Sequence, residues 1–272
     1  MHFFKKFSFF ICKFYDSKNC FMNRCRIVER VLPNMFIISL AFVDFYSLMF
    51  HSFPKLLSSS NHLFFMRSLL LISLLIFIMW LWSWMYTVLM DPGRIEDDLK
   101  RRGELFDVRD GRIPKQLQNL PICPYCLLPQ PPNSKHCMKC NACYLRYDHH
   151  CGVVGQCIAD RNMKSFLLSF LYGGAFTMIS IICGIFAFAE NGTEKSLADI
   201  GFFIITIYVG IFGLAIILFG MCTFYDSFRD SNLGLSKYML TFGKSWWKRL
   251  IPIQNTTFLA WPGIHWFDDY DL

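Results

Sequence analysis

Charge is what this chain has least of. Asp, Glu, Lys and Arg make up 17% of its 272 residues, well under the share in an ordinary soluble domain. Three long stretches, Leu69–Met90, Ser165–Ala189 and Ile200–Thr223, hold no charged side chain at all. Uncharged runs of that length argue against a soluble globular domain and match the roughly 20 apolar residues that a helix needs to cross a bilayer. No cleavable leader is expected either. The apolar run from Phe7 to Cys12 is broken by Lys13 and lacks a small-residue cleavage site, so the first span would act as its own targeting signal. No internal repeat or low-complexity segment stands out.

What the chain has in quantity is apolar surface, with 54% hydrophobic and 18% aromatic residues. A fourth span is expected from Met35 to Phe53, beginning just after Pro33 and carrying Asp44 and His51. A carboxyl at such a depth is expected to face the interior of a helix bundle or to snorkel, with a polar contact in a substrate pathway as the alternative. Gly173 and Gly174 are expected to serve close helix packing, with the widening of a cavity among the spans as the alternative.

The net charge of +7 raises nucleic acid as a partner. In a membrane protein, however, Lys and Arg gather in cytoplasmic loops. The N-terminal tail holds Lys5, Lys6, Lys13, Lys18, Arg24, Arg26 and Arg30, and the polar stretch from Asp91 to Lys164 is equally basic. The other two loops offer little beyond Lys55, Arg67 and Lys195. The expected organisation is a cytosolic tail over 1–34, spans one and two within 35–90 and a cytosolic loop over 91–164. Spans three and four follow within 165–224, then a cytosolic tail over 225–272. The fold class is thus an all-α polytopic membrane protein of four transmembrane helices, placed in an endomembrane (ER or Golgi) or the plasma membrane, with no nucleic-acid partner. Trp246, Trp247, Trp261 and Trp266, mixed with Lys244, Lys248 and Arg249, suit either a segment lying on the membrane interface or a small tail packed against the loop.

Seven of the twelve cysteines lie between Cys123 and Cys157, interleaved with His136, His149 and His150. Disulfides would need an oxidising compartment and would leave the histidines unexplained. Cys and His at this density point to metal. Structural zinc takes four such ligands in a closed tetrahedron, so two ions use eight of the ten candidates. Two sites of three Cys and one His each leave one Cys and one His over, the makings of a nucleophile and its base. An acidic neighbour, Asp148, completes a triad of the Cys-His-acid kind. Spacing alone does not say which Cys and which His are spare. A pure binding module of the zinc-finger or RING type remains the alternative.

The stretch Cys123–Phe166 resembles the cysteine-rich domain of the DHHC protein S-acyltransferases, or palmitoyltransferases. The resemblance rests on Cys123-x-x-Cys126, His136-Cys137-x-x-Cys140-x-x-Cys143, Asp148-His149-His150-Cys151, Cys157, Asn162 and Phe166. Asp91-Pro92-Gly93 and a partial aromatic motif, Tyr238 to Gly243, extend it over roughly residues 33 to 243. The resemblance implies one zinc on Cys123, Cys126, His136 and Cys143, and a second on Cys137, Cys140, His150 and Cys157. It implies Cys151 as nucleophile, His149 as base and Asp148 as the group that orients His149. Acyl-CoA, typically palmitoyl-CoA, would be the co-substrate, and membrane-associated proteins with cytosolic cysteines the acceptors. A thioester on Cys151 would be the intermediate of a ping-pong reaction.

The chain departs from the family at several points. Gly152-Val153 stands for the usual Pro-Trp, Gly155-Gln156 for Asn-Asn, Ala159 for Gly and Asn133 for a basic residue. A Thr-Thr-x-Glu motif is not recognisable between Tyr225 and Lys237. These departures keep a catalytically silent membrane scaffold open as a reading beside the enzyme.

Overall fold

The computed structural model describes residues 20–59, 62–103, 105–111, 117–190, 196–229, 241–242 and 245–253. Helix α1 (Cys20–Ser47) passes through a π-helical turn (Leu48–Ser52) into α2 (Phe53–Ser59), and α3 (Leu63–Leu89) follows. Short helices α4 (Ile95–Arg102) and α5 (Leu105–Arg109) lead to strands β1 (Lys135–Cys137), β2 (Ala142–Tyr144), β3 (His149–Cys151) and β4 (Gln156–Ile158). Then come α6 (Met163–Glu190), α7 (Leu197–Phe228) and the short α8 (Trp246–Leu250). Lys5 to Lys18, Lys195, most of Tyr238–Gly243, Trp261 and Trp266 lie outside the described residues.

Among the described residues, four segments, Glu29–Ser59, Leu63–Leu89, Met163–Glu190 and Leu197–Asp226, are long and apolar enough to cross a membrane. Hydrocarbon offers no water to backbone polar groups, so each span satisfies its own by winding into a helix. Leu71, Leu75 and Ile78 point outward from α3, while Phe77, Trp80 and Trp84 point into the bundle. Helix α6 is the most enclosed, with α3 and α7 packed along it. Gly174 carries the packing role expected of it. A Cβ there would lie 2.6 Å from Ile217 Cγ1 of α7, so bare backbone sets the closeness of the two helices.

The first span differs from expectation at both ends. It does not start after Pro33. The helix runs through that proline and the apolar segment continues to Ser59. Pro33 cannot donate to the carbonyl one turn back, but a spanning helix tolerates this where side chains re-satisfy the backbone. The next residue, Asn34, donates its side-chain amide to the Arg30 carbonyl at 2.6 Å, the neighbour of the Glu29 carbonyl that Pro33 leaves without its helical donor. Near the far end the N–H of Phe53 reaches back five residues to Leu48. This wider turn lies just before Pro54 and absorbs its missing donor.

Several polar side chains of the spans are partnered by other helices. Asp44 accepts from the Ser180 hydroxyl. His51 Nε2 lies 3.1 Å from Asp199 Oδ1, and Lys55 pairs with the same carboxylate. Thr87 Oγ1 donates to Ser165 Oγ at 2.9 Å. The polar stretch builds a module at one end of the bundle, with β1–β2 and β3–β4 as two antiparallel hairpins. It also owns a small apolar core, in which Ile95, Leu99, Leu105 and Val108 of α4 and α5 meet Leu117, Leu128 and Leu145.

Candidate metal centres and reactive cysteine

The module is an internal duplication, against the expectation of no repeat. Cys123-x2-Cys126-x9-His136-x6-Cys143 recurs as Cys137-x2-Cys140-x9-His150-x6-Cys157, displaced by 14 residues. The hairpins repeat in register, with His136 opposite Cys143 and His150 opposite Cys157. The period is visible in the sequence only once the ligands are assigned, because the two units interlock: Cys137 follows His136 in the chain but belongs to the second cluster. By the same register Cys151, which follows His150, would serve a third cluster. The chain enters α6 at Met163 instead.

Two groups of side chains converge, Cys123, Cys126, His136 and Cys143 in one and Cys137, Cys140, His150 and Cys157 in the other, with ligand atoms within 4.8 Å of one another. In the first, His136 Nδ1 lies 3.7, 3.2 and 3.7 Å from the sulfurs of Cys123, Cys126 and Cys143. In the second, His150 Nδ1 lies 3.7, 3.3 and 3.7 Å from those of Cys137, Cys140 and Cys157. A tetrahedron with ordinary Zn–S and Zn–N bonds has S···N edges of about 3.6 Å, so both donor sets fit zinc and neither leaves an open position. Local backbone serves the same end. Leu127 and Asn141, each directly after a Cys-x-x-Cys, take φ of 56° and 50°. The tight turn aims the Cys126 N–H at Cys123 Sγ, 3.5 Å away.

Asp148, His149 and Cys151 are brought together outside both clusters. Asp148 Oδ2 lies 2.9 Å from His149 Nδ1, which leaves Nε2 as the ring nitrogen for the Cys151 thiol. Burial alone would lower the His149 pKa, but hydrogen bonds to Asp148 and Cys151 overturn this and raise it to about 9. Burial likewise works to raise the Cys151 pKa. The hydrogen bond to His149 and those from the Val154 and Val153 N–H groups outweigh it, and the thiol is held below its ordinary range. The arrangement favours a thiolate beside an imidazolium, the reactive form of cysteine. Phe166 packs on His149 with ring centroids 5.6 Å apart.

Several residues that position this hairpin escaped the sequence reading. The Asn34 amide donates to the carbonyls of Val153 and Val154 at 3.3 and 3.1 Å. Gly155, at φ +73°, lies against the Arg30 backbone, where an added Cβ would come within 2.5 Å of Cα. Gln156 donates to the carbonyls of Thr87, Val88 and Met90 at the end of α3, joined there by Arg30 on Val88. Two of the family departures, at 155 and 156, are therefore contacts between the hairpin and the spans. Asn162 accepts from the Ala159 N–H at 2.9 Å and donates to the Cys157 carbonyl at 2.9 Å. Asp91 caps the N–H of Gly93 at 2.8 Å, and the Gly93 and Pro92 carbonyls accept from Leu145 and Arg161. The Asp-Pro-Gly turn is thus stitched to the module.

Cys151 opens on a cavity of about 240 Å3 that runs into the bundle. Its walls are apolar, with Phe77, Trp80 and Trp84 of α3, Phe166 and Phe176 of α6 and Phe212 of α7 among them. Asp44 lies on its wall, in line with the interior carboxyl expected there. Gly173 also lines it, so that glycine faces the cavity as well as making room for Trp80. Segment 245–253 is tied to α6, with Lys164 donating to the Lys248 and Ile253 carbonyls at 2.6 and 2.9 Å. Trp246 remains 75% exposed.

Fold and site together define a four-helix membrane protein with a Cys/His module of two metal-type clusters and a free cysteine at the mouth of an apolar cavity. Residues 116–244 match the family described as DHHC palmitoyltransferase, so the chain carries a DHHC-type domain. It is 34% identical over 116 residues to Probable protein S-acyltransferase 12 of Arabidopsis thaliana, covering 42% of this chain and 40% of that one. It is 31% identical over 138 residues to Putative ZDHHC-type palmitoyltransferase 7 of Dictyostelium discoideum, covering 49% and 32%. Palmitoyltransferase ERF2 of Eremothecium gossypii is 30% identical over 113 residues, covering 37% and 30%. The chain thus spans less than half the length of these curated relatives.

Proposed function

We propose that this protein is a protein S-acyltransferase that moves a long-chain fatty acyl group, of the palmitoyl class, from acyl-CoA to cysteines of membrane-associated proteins. The observation that carries the reading is the Asp148–His149–Cys151 constellation, outside both clusters and at the mouth of the apolar cavity. The module and both termini face the cytosol, where acyl-CoA and reduced acceptor cysteines are found; the basic residues of the tail and of the 91–164 loop support this side.

The acyl chain lies in the cavity. Phe166 and Thr177 of α6, both on its wall, are eleven residues apart, or about 16 Å along a helix. An extended chain advances about 1.2 Å per bond, so roughly 13 bonds fit that depth. The Cys151 thiolate attacks the thioester carbonyl. CoA leaves with its sulfur protonated by His149, and the acyl group stays on Cys151 as a new thioester. An acceptor cysteine then gives its proton to His149 and takes the acyl group, which returns Cys151 to the thiolate. Thioester is exchanged for thioester in both steps, so no other energy source is needed. Asp148 holds His149 in the tautomer and orientation both steps use. Zinc on Cys123, Cys126, His136 and Cys143, and on Cys137, Cys140, His150 and Cys157, would act by holding the two hairpins.

The test is to incubate the purified full chain with an alkyne-tagged palmitoyl-CoA and to look for label that hydroxylamine releases. Label on wild type and none on Cys151→Ser is the expected result. A wild type with intact zinc and no label would leave a membrane scaffold as the better reading.

A further inference from the structure

One wall of the apolar cavity carries a carboxyl. On α1, Ile37, Leu40, Ala41 and Asp44 line the cavity, while Val43 and Tyr46 are exposed and face away from the bundle. Asp44 is 3% exposed, and the Ser180 hydroxyl donates to its Oδ1. Its Oδ2 has no partner among the described residues, yet it is not one of the sealed, unpartnered side-chain atoms, which belong to Asn34, Ser47, Trp84, His136 and Arg146. The surface that Oδ2 keeps therefore opens on the cavity that Asp44 lines. Thr177, also on the wall, donates its hydroxyl proton to the Gly173 carbonyl at 2.9 Å. Oδ2 is left as an acceptor without a donor.

Two helices give the depth of that oxygen. Asn34 of α1 donates to the carbonyls of Val153 and Val154, in the turn that follows Cys151. Asp44 stands ten residues further along the same helix, about 15 Å. On α6, Phe166 packs on His149, and Ser180 stands fourteen residues further, about 21 Å. Helix side chains lean toward the start of their own helix. Both helices run away from the module, so the carboxyl and the hydroxyl lean back toward Cys151. An extended acyl chain on Cys151 advances about 1.2 Å per bond, which brings roughly carbons 12 to 14 beside Oδ2.

We propose that Asp44 is a specificity-determining residue and that the acyl chain this protein transfers carries a hydroxyl at about carbon 12 to 14. This rests on the acyltransferase reading above and names the kind of long-chain acyl group within it. The chain hydroxyl donates to Oδ2, which accepts whether or not the carboxyl is ionised. A plain alkyl chain has no hydrogen to give, and it leaves the carboxyl oxygen desolvated against methylenes. In a cavity with apolar walls alone, a hydroxyl on the chain would be penalised instead. The sign of the preference therefore reports on Asp44.

The experiment uses the full chain in lipid nanodiscs. Palmitoyl-CoA competes in turn with hydroxypalmitoyl-CoAs bearing the hydroxyl at carbon 6, 12, 13 or 14, and the acyl group on Cys151 is identified by intact mass. Wild type is expected to favour at least one of the three distal isomers over palmitoyl by at least about tenfold and to disfavour the carbon 6 isomer. Asp44→Leu should disfavour every hydroxylated chain, and Asp44→Asn, whose amide oxygen still accepts, should keep the wild-type order. Zinc content shows whether each variant has folded, and the wild-type series decides alone if Asp44→Leu has not. Palmitoyl-CoA used by wild type as well as every distal isomer, or better, would make Asp44 a contact between helices and sink the inference while the acyltransferase reading stands. A distal preference that survives in folded Asp44→Leu would sink it as well. A wild type that takes no acyl group from any of these donors would sink the parent reading and this one with it.

Discussion

The side-chain amide of Gln156 lies 2.5 Å from the backbone carbonyl of Thr87, and the same nitrogen reaches the carbonyls of Val88 and Met90 at 3.2 Å each. These oxygens belong to the last turn of α3 and its exit, where a helix has no donors of its own left. Gln156 sits in β4 opposite Cys151. One side chain therefore caps a membrane helix and fixes the depth of Cys151.

Gln156→Leu, close in volume and without the amide, should leave those buried carbonyls short of a donor. The expected cost is about 1–3 kcal/mol, read as a fall of a few degrees in thermal unfolding of the detergent-solubilised protein. Zinc content should not change, since Gln156 is in neither cluster. A variant as stable as wild type would show that the cap contributes nothing.

Cys151 and Cys157 are six positions apart and both buried, yet their substitutions should fail differently. Cys151→Ser should keep two zinc ions and wild-type stability while losing acyl-enzyme. Cys157→Ser opens a closed site and should lower zinc content and destabilise the module, because metal-binding energy there is folding energy. His149→Ala should follow the first pattern and His150→Ala the second. Zinc lost from Cys151→Ser and retained in Cys157→Ser would reverse the assignment of ligand and nucleophile.

Gly152 and Gly155 make a matched pair. An added Cβ at Gly152 meets nothing within 4 Å, whereas at Gly155 it would come within 2.5 Å of the Arg30 backbone, at a φ of +73°. Gly155→Ala should therefore push the first span off the turn that carries Cys151, slowing acylation and costing on the order of 1–3 kcal/mol for the forced backbone. Gly152→Ala should be close to neutral in stability. Equal behaviour of the two variants, measured by melting and by labelling, would contradict the packing described for α1 against the hairpin.

Removing zinc with a strong chelator should separate the two halves of the structure. The hairpins are three-residue strands, too short to persist without their metal. The four spans carry their own backbone bonds and should stay helical. Circular dichroism should keep most of its helical signal while protease cuts appear between Leu117 and Asp160. Collapse of the helical signal on chelation would mean that the spans depend on the module.

The sequence by itself determined the four spans, because a helix in hydrocarbon is dictated by a run of apolar residues and needs no partner to be recognised. It determined the two clusters in outline, because metal ligands are few in kind and counting them leaves one Cys and one His over. Resemblance then named the spare pair, and the structure brings that pair together with Asp148. The 14-residue period was also in the sequence, hidden by the interlocking of its two units. Only the tertiary structure decided what Asn34, Gly155 and Gln156 do. Each acts through a partner more than 60 positions away, and no local pattern of residues encodes a contact made at that distance. Asn34 and Gly155 tie the first span to the turn beside Cys151. Gln156 joins that turn to the second span. Pro33, read as the boundary of a helix, lies inside one, because bilayer-length helices keep their bonds where a soluble helix would end.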